Sequence, residues 1–250
     1  MKDHFSGHAA EYASFRPGYP EDLFRFIETL VPRRAGCWDV GTGSGQLAFP
    51  LADRFEAVFA TDISARQIAH ATRRANIYYS VQPAESTSFP EAGFDLVTVG
   101  QAIHWFDFEQ FYHEVKRVTT QEGILLVAGY GLSTVDPAVD AIVWRLYDNI
   151  VGSYWDPERD FIAAGYRTIP FPFEEIPCPK LSMTCSWTVR QMTGYLRTWS
   201  AVRHYVQDKG NDPVEHIEQA LFGVWPAGVR KQVIFPLLLR AGRVHGFGDM

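Results

Sequence analysis

The segment Trp38-Asp39-Val40-Gly41-Thr42-Gly43-Ser44-Gly45 constrains the fold more than any other part of this 250-residue chain. An apolar run enters glycines spaced G-x-G-x-G, and a helix can follow. Glycine accepts backbone angles that other residues resist, and it lets a ligand approach the main chain closely. The dinucleotide fingerprint G-x-G-x-x-G is not met, because Gln46 stands where its third glycine would be. A glycine-rich turn by itself can be only a turn. Asp62 narrows the reading, since it closes the next apolar run, seventeen residues after Gly45. An acid at that strand end suits hydrogen bonds to ribose hydroxyls, although such a residue can also cap a helix or face solvent.

The rest of the first half agrees with a nucleotide-binding sheet. Residues 37–40, 57–61, 78–81, 96–99 and 124–128 are short apolar runs that end in Gly, Asp or polar turns. The gaps between them leave room for one helix each, which predicts an α/β, Rossmann-like, doubly wound sheet, mostly parallel. Leu23, Phe24, Ile27, Leu30 and Val31 recur at helical spacing after Pro20. Ser64 can cap a helix over 65–75, and Asp107 with Gln110 has the form of a capping box opening 108–118. Pro50 means that the helix after Gly45 is kinked or starts late.

The second half is less regular. Residues 136–151 look helical, and 168–180, with Pro170, Pro172, Pro177 and Pro179, read as loop or edge strand. Thr188 with Gln191 is a second capping-box pattern, before a helix over 192–206. Residues 232–240 form a late strand, an antiparallel edge strand or a bulged one because of Pro236. No flexible linker separates the halves. The expectation is a single domain over 1–250, with residues 1–20 as an N-terminal lid. Residues 132–173 and 208–230 are expected as a helical cap on the substrate side.

With these segments in place, the chain resembles the class I S-adenosylmethionine-dependent methyltransferases, in the small-molecule branch that includes the methyltransferase type 11 and trans-aconitate methyltransferase-like proteins. Residues 38–45 look like the glycine-rich motif and Thr61-Asp62-Ile63-Ser64 like the ribose motif. Gln82-Pro83-Ala84-Glu85, with Phe89-Pro90 following, looks like the adenine-edge segment. Phe94-Asp95-Leu96-Val97, continuing to Gln101-Ala102-Ile103-His104-Trp105-Phe106, looks like the fourth strand and its functional loop. Outside this core, residues 12–20 and 196–202 are similar to further segments of the branch.

The resemblance implies S-adenosyl-L-methionine as cofactor and S-adenosyl-L-homocysteine as product. Asp39 would belong to the cofactor site, and Gly41 and Gly43 would face the methionine moiety. Asp62 would hold the ribose and Ile63 would pack on adenine. Ala84 and Glu85 would border the adenine, and Gln101 would line the methionine end. Tyr12, Arg16 and Tyr19 would close the lid, with Arg16 pairing with the cofactor carboxylate or simply fixing a turn.

Methyl transfer from a sulfonium is an in-line displacement from an activated donor, so it needs alignment and exclusion of water rather than a nucleophile or a metal. The chain has no G-x-S-x-G elbow and no H-E-x-x-H helix, and no metal is expected. His104 and Trp105 follow the fourth strand, where open α/β sheets place ligands. His104 could deprotonate a hydroxyl, orient a carboxylate, or be a packed loop histidine. Trp105 and Tyr130 are the other acceptor-side candidates, with Trp155, Trp199, Arg203 and His204 behind them.

Composition bears on partners. The net charge of −6 disfavours nucleic acid as acceptor, because a binder usually shows a basic face. The expected partner is a small molecule, and an RNA or protein methyltransferase, a dehydrogenase and a non-catalytic cofactor binder stay as alternatives. Three cysteines without close pairs fit a reducing compartment. With no apolar h-region at the N-terminus and no run long enough to span a bilayer, the sequence is read as cytoplasmic, with no membrane partner.

Overall fold

The computed structural model describes residues 18–245. Tyr12, Arg16 and residues 1–17 of the expected lid lie outside the described residues. Strand β1 (Gly36–Val40) has β2 (Ala57–Asp62) on one side, and β3 (Ile77–Val81) lies beyond it. On the other side come β4 (Phe94–Gly100) and then β5 (Thr119–Tyr130). All five are parallel, in the order β3-β2-β1-β4-β5. The winding reverses between β1 and β4, so the carboxyl ends of those two strands flank the crevice where open sheets bind ligands.

Both faces of this sheet are covered, which is why its strands read as continuous apolar runs. Cys37, Leu96, Ile124 and Leu126 point to one face, where they meet Leu23 and Ile27 of α1 (Glu21–Leu30) and Leu51 of α2 (Ala48–Leu51). Their neighbours Trp38, Val97, Leu125 and Val127 point to the other. After α3 (Ala65–Ala69), helix α4 (Phe108–Val118) covers that second face with Phe111 and Val115.

Local chemistry explains the helix ends. Helix α2 starts late, as one of the two expectations for Pro50 required, and Pro50 is its third residue, where no intrahelical donor is needed. Helix α3 is capped by Ser64, whose Oγ accepts from the Gln67 N–H, but it stops at Ala69 rather than near residue 75. The following backbone is engaged elsewhere, with the Tyr79 hydroxyl donating to the Thr72 carbonyl at 2.9 Å.

The late strand β8 (Lys231–Arg243) runs antiparallel to β5, as the sequence suggested. It does not form the rim itself. Its far side carries β6 (Glu174–Ile176) and β7 (Ser182–Trp187). Pro236 is accommodated just past the end of β5, where its carbonyl accepts from the Gly131 N–H at 3.2 Å.

Helix α5 (Pro137–Trp144), capped by Asp136, continues as a wider turn over Arg145–Ile150, and α6 (Arg159–Ala163) follows. Helices α7 (Val189–Arg197), α8 (Ser200–Lys209) and α9 (Glu215–Val224) complete the cap. The capping box at Thr188 and Gln191 is formed in both directions at the start of α7. The cap has its own core, in which Val143 and Leu146 meet Met192, Leu196 and Leu221 over Phe235 of β8. It therefore includes α7 as well as much of 132–173 and 208–230. Residues Ile162, Tyr166, Ile169 and Phe173 instead belong to the sheet core. Among the described residues, no helix is long and apolar enough to cross a membrane.

Candidate active site

Strand β1 delivers the glycine loop to the crevice. Gly41, Gly43 and Gly45 have φ of 62°, 55° and 85°, a left-handed backbone that favours glycine. The protein itself explains two of them. A β-carbon at Gly41 would lie 2.7 Å from the Ala102 Cβ, and one at Gly45 would run into the Tyr79 hydroxyl. A β-carbon at Gly43 would meet nothing within 4 Å among the described residues. The open space before Gly43 is thus a place where a ligand can approach bare backbone.

Asp62, at the end of β2, accepts from the Gly43 N–H on Oδ2 and from the Ser64 N–H on Oδ1, both at 2.8 Å. These bonds fix the carboxylate beside the loop. Asp39 works from beneath. It is buried and accepts the Thr42 hydroxyl at 2.5 Å and the Thr98 hydroxyl at 2.9 Å, linking the loop to β4. Burial pushes its carboxyl up to about 6, against the opposing pull of bonds from Thr42, Thr98 and the Ala48 N–H.

Ile63 follows Asp62 and is partly buried, while Ala84 is buried in the sheet core. Glu85 accepts the Asp107 N–H at 3.2 Å. It so supplies the bond that Gln110 would have made in a full capping box, and Gln110 turns instead to the Asp107 carboxylate at 2.8 Å. The loop of residues 82–90 is anchored to α4, where Glu114 accepts the Thr87 N–H at 2.8 Å and Arg117 donates to the Phe89 carbonyl at 2.8 Å. Burial would raise the Glu114 carboxyl, but bonds from Arg117 and Thr87 outweigh it and hold it below its usual range.

Beyond β4 the chain turns at Gln101, whose φ of 55° is unusual for a residue with a side chain. Its amide explains the turn. The Gln101 Oε1 accepts the Tyr130 N–H at 2.7 Å, and its Nε2 donates to the Tyr130 carbonyl at 3.4 Å, so the side chain continues the sheet. Tyr19 joins this end of the sheet, close enough that a β-carbon at Gly100 would lie 3.0 Å from its hydroxyl.

Gln101, His104, Trp105 and Tyr130 line an open cleft of about 580 Å³. The opposite wall comes from the cap, chiefly Trp155, Asp156, Arg159, Tyr195 and Trp199. Aromatic walls with a few convergent polar groups are the lining expected of a small-ligand site. His104 is buried at the cleft floor, with its Nδ1 3.2 Å from the Tyr166 hydroxyl. Burial raises the Tyr166 phenol, which stays protonated, and His104 is its hydrogen-bond partner among the described residues. A phenol that donates to Nδ1 leaves the proton of a neutral His104 on Nε2, whereas with Nδ1 protonated the bond runs the other way.

The three acceptor-side residues read from the sequence are thus brought together, with Trp155 and Trp199 facing them. His204 lies behind this wall, with its Nδ1 3.0 Å from the Tyr154 carbonyl and 3.9 Å from Asp156 Oδ1. Asp156, Arg159 and Tyr195 escaped the sequence reading, because no motif surrounds them and only the cap's fold sets them opposite β4, and Tyr166 escaped it because only its packing on β5 brings it to His104. Among the described residues, no group of three or more His, Cys, Asp or Glu could hold a metal ion.

Residues 38–127, which hold the glycine loop, Asp62 and the His104 turn, match the family model of the methyltransferase domain. A methyltransferase of Dictyostelium discoideum is 33% identical over 223 residues, covering 88% of this chain and 85% of that one. The solved structure of a type II methyltransferase from Anaeromyxobacter dehalogenans is 41% identical with a TM-score of 0.86, covering 92% of this chain and 98% of that one. At 15% identity and a TM-score of 0.50, covering 97% of this chain and 58% of that one, a Haemonchus contortus phosphoethanolamine N-methyltransferase in complex with S-adenosylhomocysteine shares the fold alone. With family model, relatives and crevice geometry in agreement, the chain belongs to the class I S-adenosylmethionine-dependent methyltransferases.

Proposed function

We propose that this methyltransferase acts on a small acceptor bound in the cleft between β4 and the cap, and that the accepting atom is a carboxylate oxygen. The observation that carries the reading is the Tyr166 bond to His104 Nδ1 beside the cleft; with the phenol as donor, the imidazole proton sits on Nε2. A donor suits an anionic acceptor, whereas a general base would need a bare nitrogen. A carboxylate needs no base, being ionised near neutral pH. An acid acceptor is also what the resemblance to the trans-aconitate methyltransferase-like branch implies.

The residues present fit the cofactor. The open face of Gly43 would take its approach, Asp62 would orient on the ribose, Ile63, Ala84 and Glu85 would border the base, and Gln101 would lie at the methionine end. Asp39 would serve the site indirectly, by shaping the loop. When bound, S-adenosylmethionine supplies an activated methyl group. The chain then aligns the acceptor and excludes water, with Trp105, Tyr130 and Trp199 as apolar walls.

Incubation with S-adenosylmethionine and a panel of small carboxylic acids and matched alcohols, read as S-adenosylhomocysteine release, tests this. Turnover of acids with formation of methyl esters is expected. Turnover confined to alcohols, or methyl groups found only on protein or RNA, would reject the reading.

A further inference from the structure

We infer that Arg159 is the acceptor-binding cation of the cleft and that it selects acceptors carrying an anionic group, a carboxylate or a phosphate. The inference rests on the small-acceptor reading above and names the residue that would enforce it.

Arg159 is the first residue of α6, and its N–H donates to the Asp156 carbonyl at 2.9 Å. Its guanidinium carbon lies 4.8 Å from the centroid of the Trp155 ring and 5.6 Å from that of Tyr147. The cation is therefore held against ring faces at the cleft wall. Its Nε–H is buried and has no hydrogen-bond partner among the described residues.

Comparison with other partly buried arginines sharpens the point. Arg54 is paired with Glu21 and Glu28, Arg117 with Glu114, Arg197 with Asp212 and Glu218, and Arg240 with Glu175. Arg159 has no such carboxylate among the described residues. Asp156, the acid beside it in the cleft, has its Oδ1 3.9 Å from His204. A guanidinium at the cleft wall with no carboxylate in ion-pair distance among the described residues matches the planar, two-oxygen face of a carboxylate or phosphate.

The test uses the protein loaded with S-adenosylhomocysteine and three probes, benzoate, phenyl phosphate and benzamide, followed by calorimetric titration. At least one of the two anions should bind, and benzamide should bind at least tenfold more weakly. The anion preferred shows which oxygen geometry the fork accepts. Arg159→Gln should weaken anion binding at least tenfold and change S-adenosylhomocysteine affinity less than twofold, and Arg159→Lys should recover part of the loss. If Arg159→Gln does not fold, Arg159→Met, which keeps the stem over the rings, makes the same comparison. The inference is overturned if neither anion binds, if benzamide binds as well as benzoate, or if the variant keeps the wild-type anion affinity. Failure of the small-acceptor reading looks different, with anions bound through Arg159 but no acid methylated.

Discussion

The ring of Tyr166 lies across Gly129 so closely that a β-carbon at 129 would sit 2.7 Å from the Tyr166 hydroxyl and 2.8 Å from Cζ. Gly129 belongs to β5 and Tyr166 follows α6, so the contact locks the chain leaving α6 onto the sheet. It also sets where the hydroxyl meets His104. Gly129→Ala should destabilise the fold by about 1–3 kcal/mol, the usual cost of overpacking a core. Acceptor turnover should fall while S-adenosylhomocysteine affinity holds, because the cofactor loop is elsewhere. Denaturant unfolding and a cofactor titration check both, and an unchanged stability would show that Tyr166 can move aside freely.

Replacing His104 separates two kinds of acceptor chemistry. If His104 orients a carboxylate, His104→Ala should raise the acceptor's KM roughly tenfold or more, the scale of a lost bond to a charged group, and change kcat little. A general base would instead show as a fall in kcat of roughly 10²–10⁴-fold. Steady-state kinetics on an acceptor found in the screen decides, and the account expects the KM effect. Normal kinetics in a folded variant would leave His104 as a packing residue.

The buried Asp39 predicts a pH signature. Its carboxyl stands at about 6 in the fold, against 3.8 for an ordinary aspartate. Between these values the native state binds the proton more tightly than the unfolded chain, so this group's contribution to stability declines as pH rises. The full change is about 3 kcal/mol, from a shift of roughly two units at 1.36 kcal/mol each. Asp39→Asn cannot ionise, so its stability should gain on that of the wild type from pH 4 to pH 6 and run parallel above. A wild-type-minus-variant difference independent of pH would contradict this.

Activity should not depend on a metal ion, since the sulfonium donor needs no Lewis acid. Turnover in the presence of EDTA should match turnover without it. Activity lost to EDTA and restored by magnesium would refute the expectation.

The crevice at the carboxyl ends of β1, β2 and β4 was legible because its parts are local strings. Three glycines, an acid at the next strand end and a histidine two residues after Ala102 announce themselves without the fold. The five parallel strands were legible for the same reason, as each is a short apolar run between turns. The cap wall of the cleft was not, apart from its tryptophans, because its chemistry lies in contacts across the fold. His104 meets Tyr166 sixty-two residues later, and Arg159 reaches the cleft only through the packing of the cap. Helix α3 shows a different limit. Ser64 marked its start, but its end was set by the Tyr79 hydroxyl and other tertiary partners that no propensity reports. At β8, Pro236 suggested an edge, yet the proline fits beside β7 because it faces the end of β5.

The most direct test of the central claim, that the cofactor seats against the open face of Gly43, is a calorimetric titration of S-adenosylhomocysteine into the wild type and into Gly43→Val. The side chain would enter space that no atom of the described residues fills within 4 Å of the β-carbon, so the fold should tolerate it apart from the strain of a φ of 55°. The account predicts saturable binding to the wild type and binding at least a hundredfold weaker in a variant whose circular dichroism is unchanged. Equal binding to both proteins, or no binding to the wild type at millimolar ligand, would contradict it.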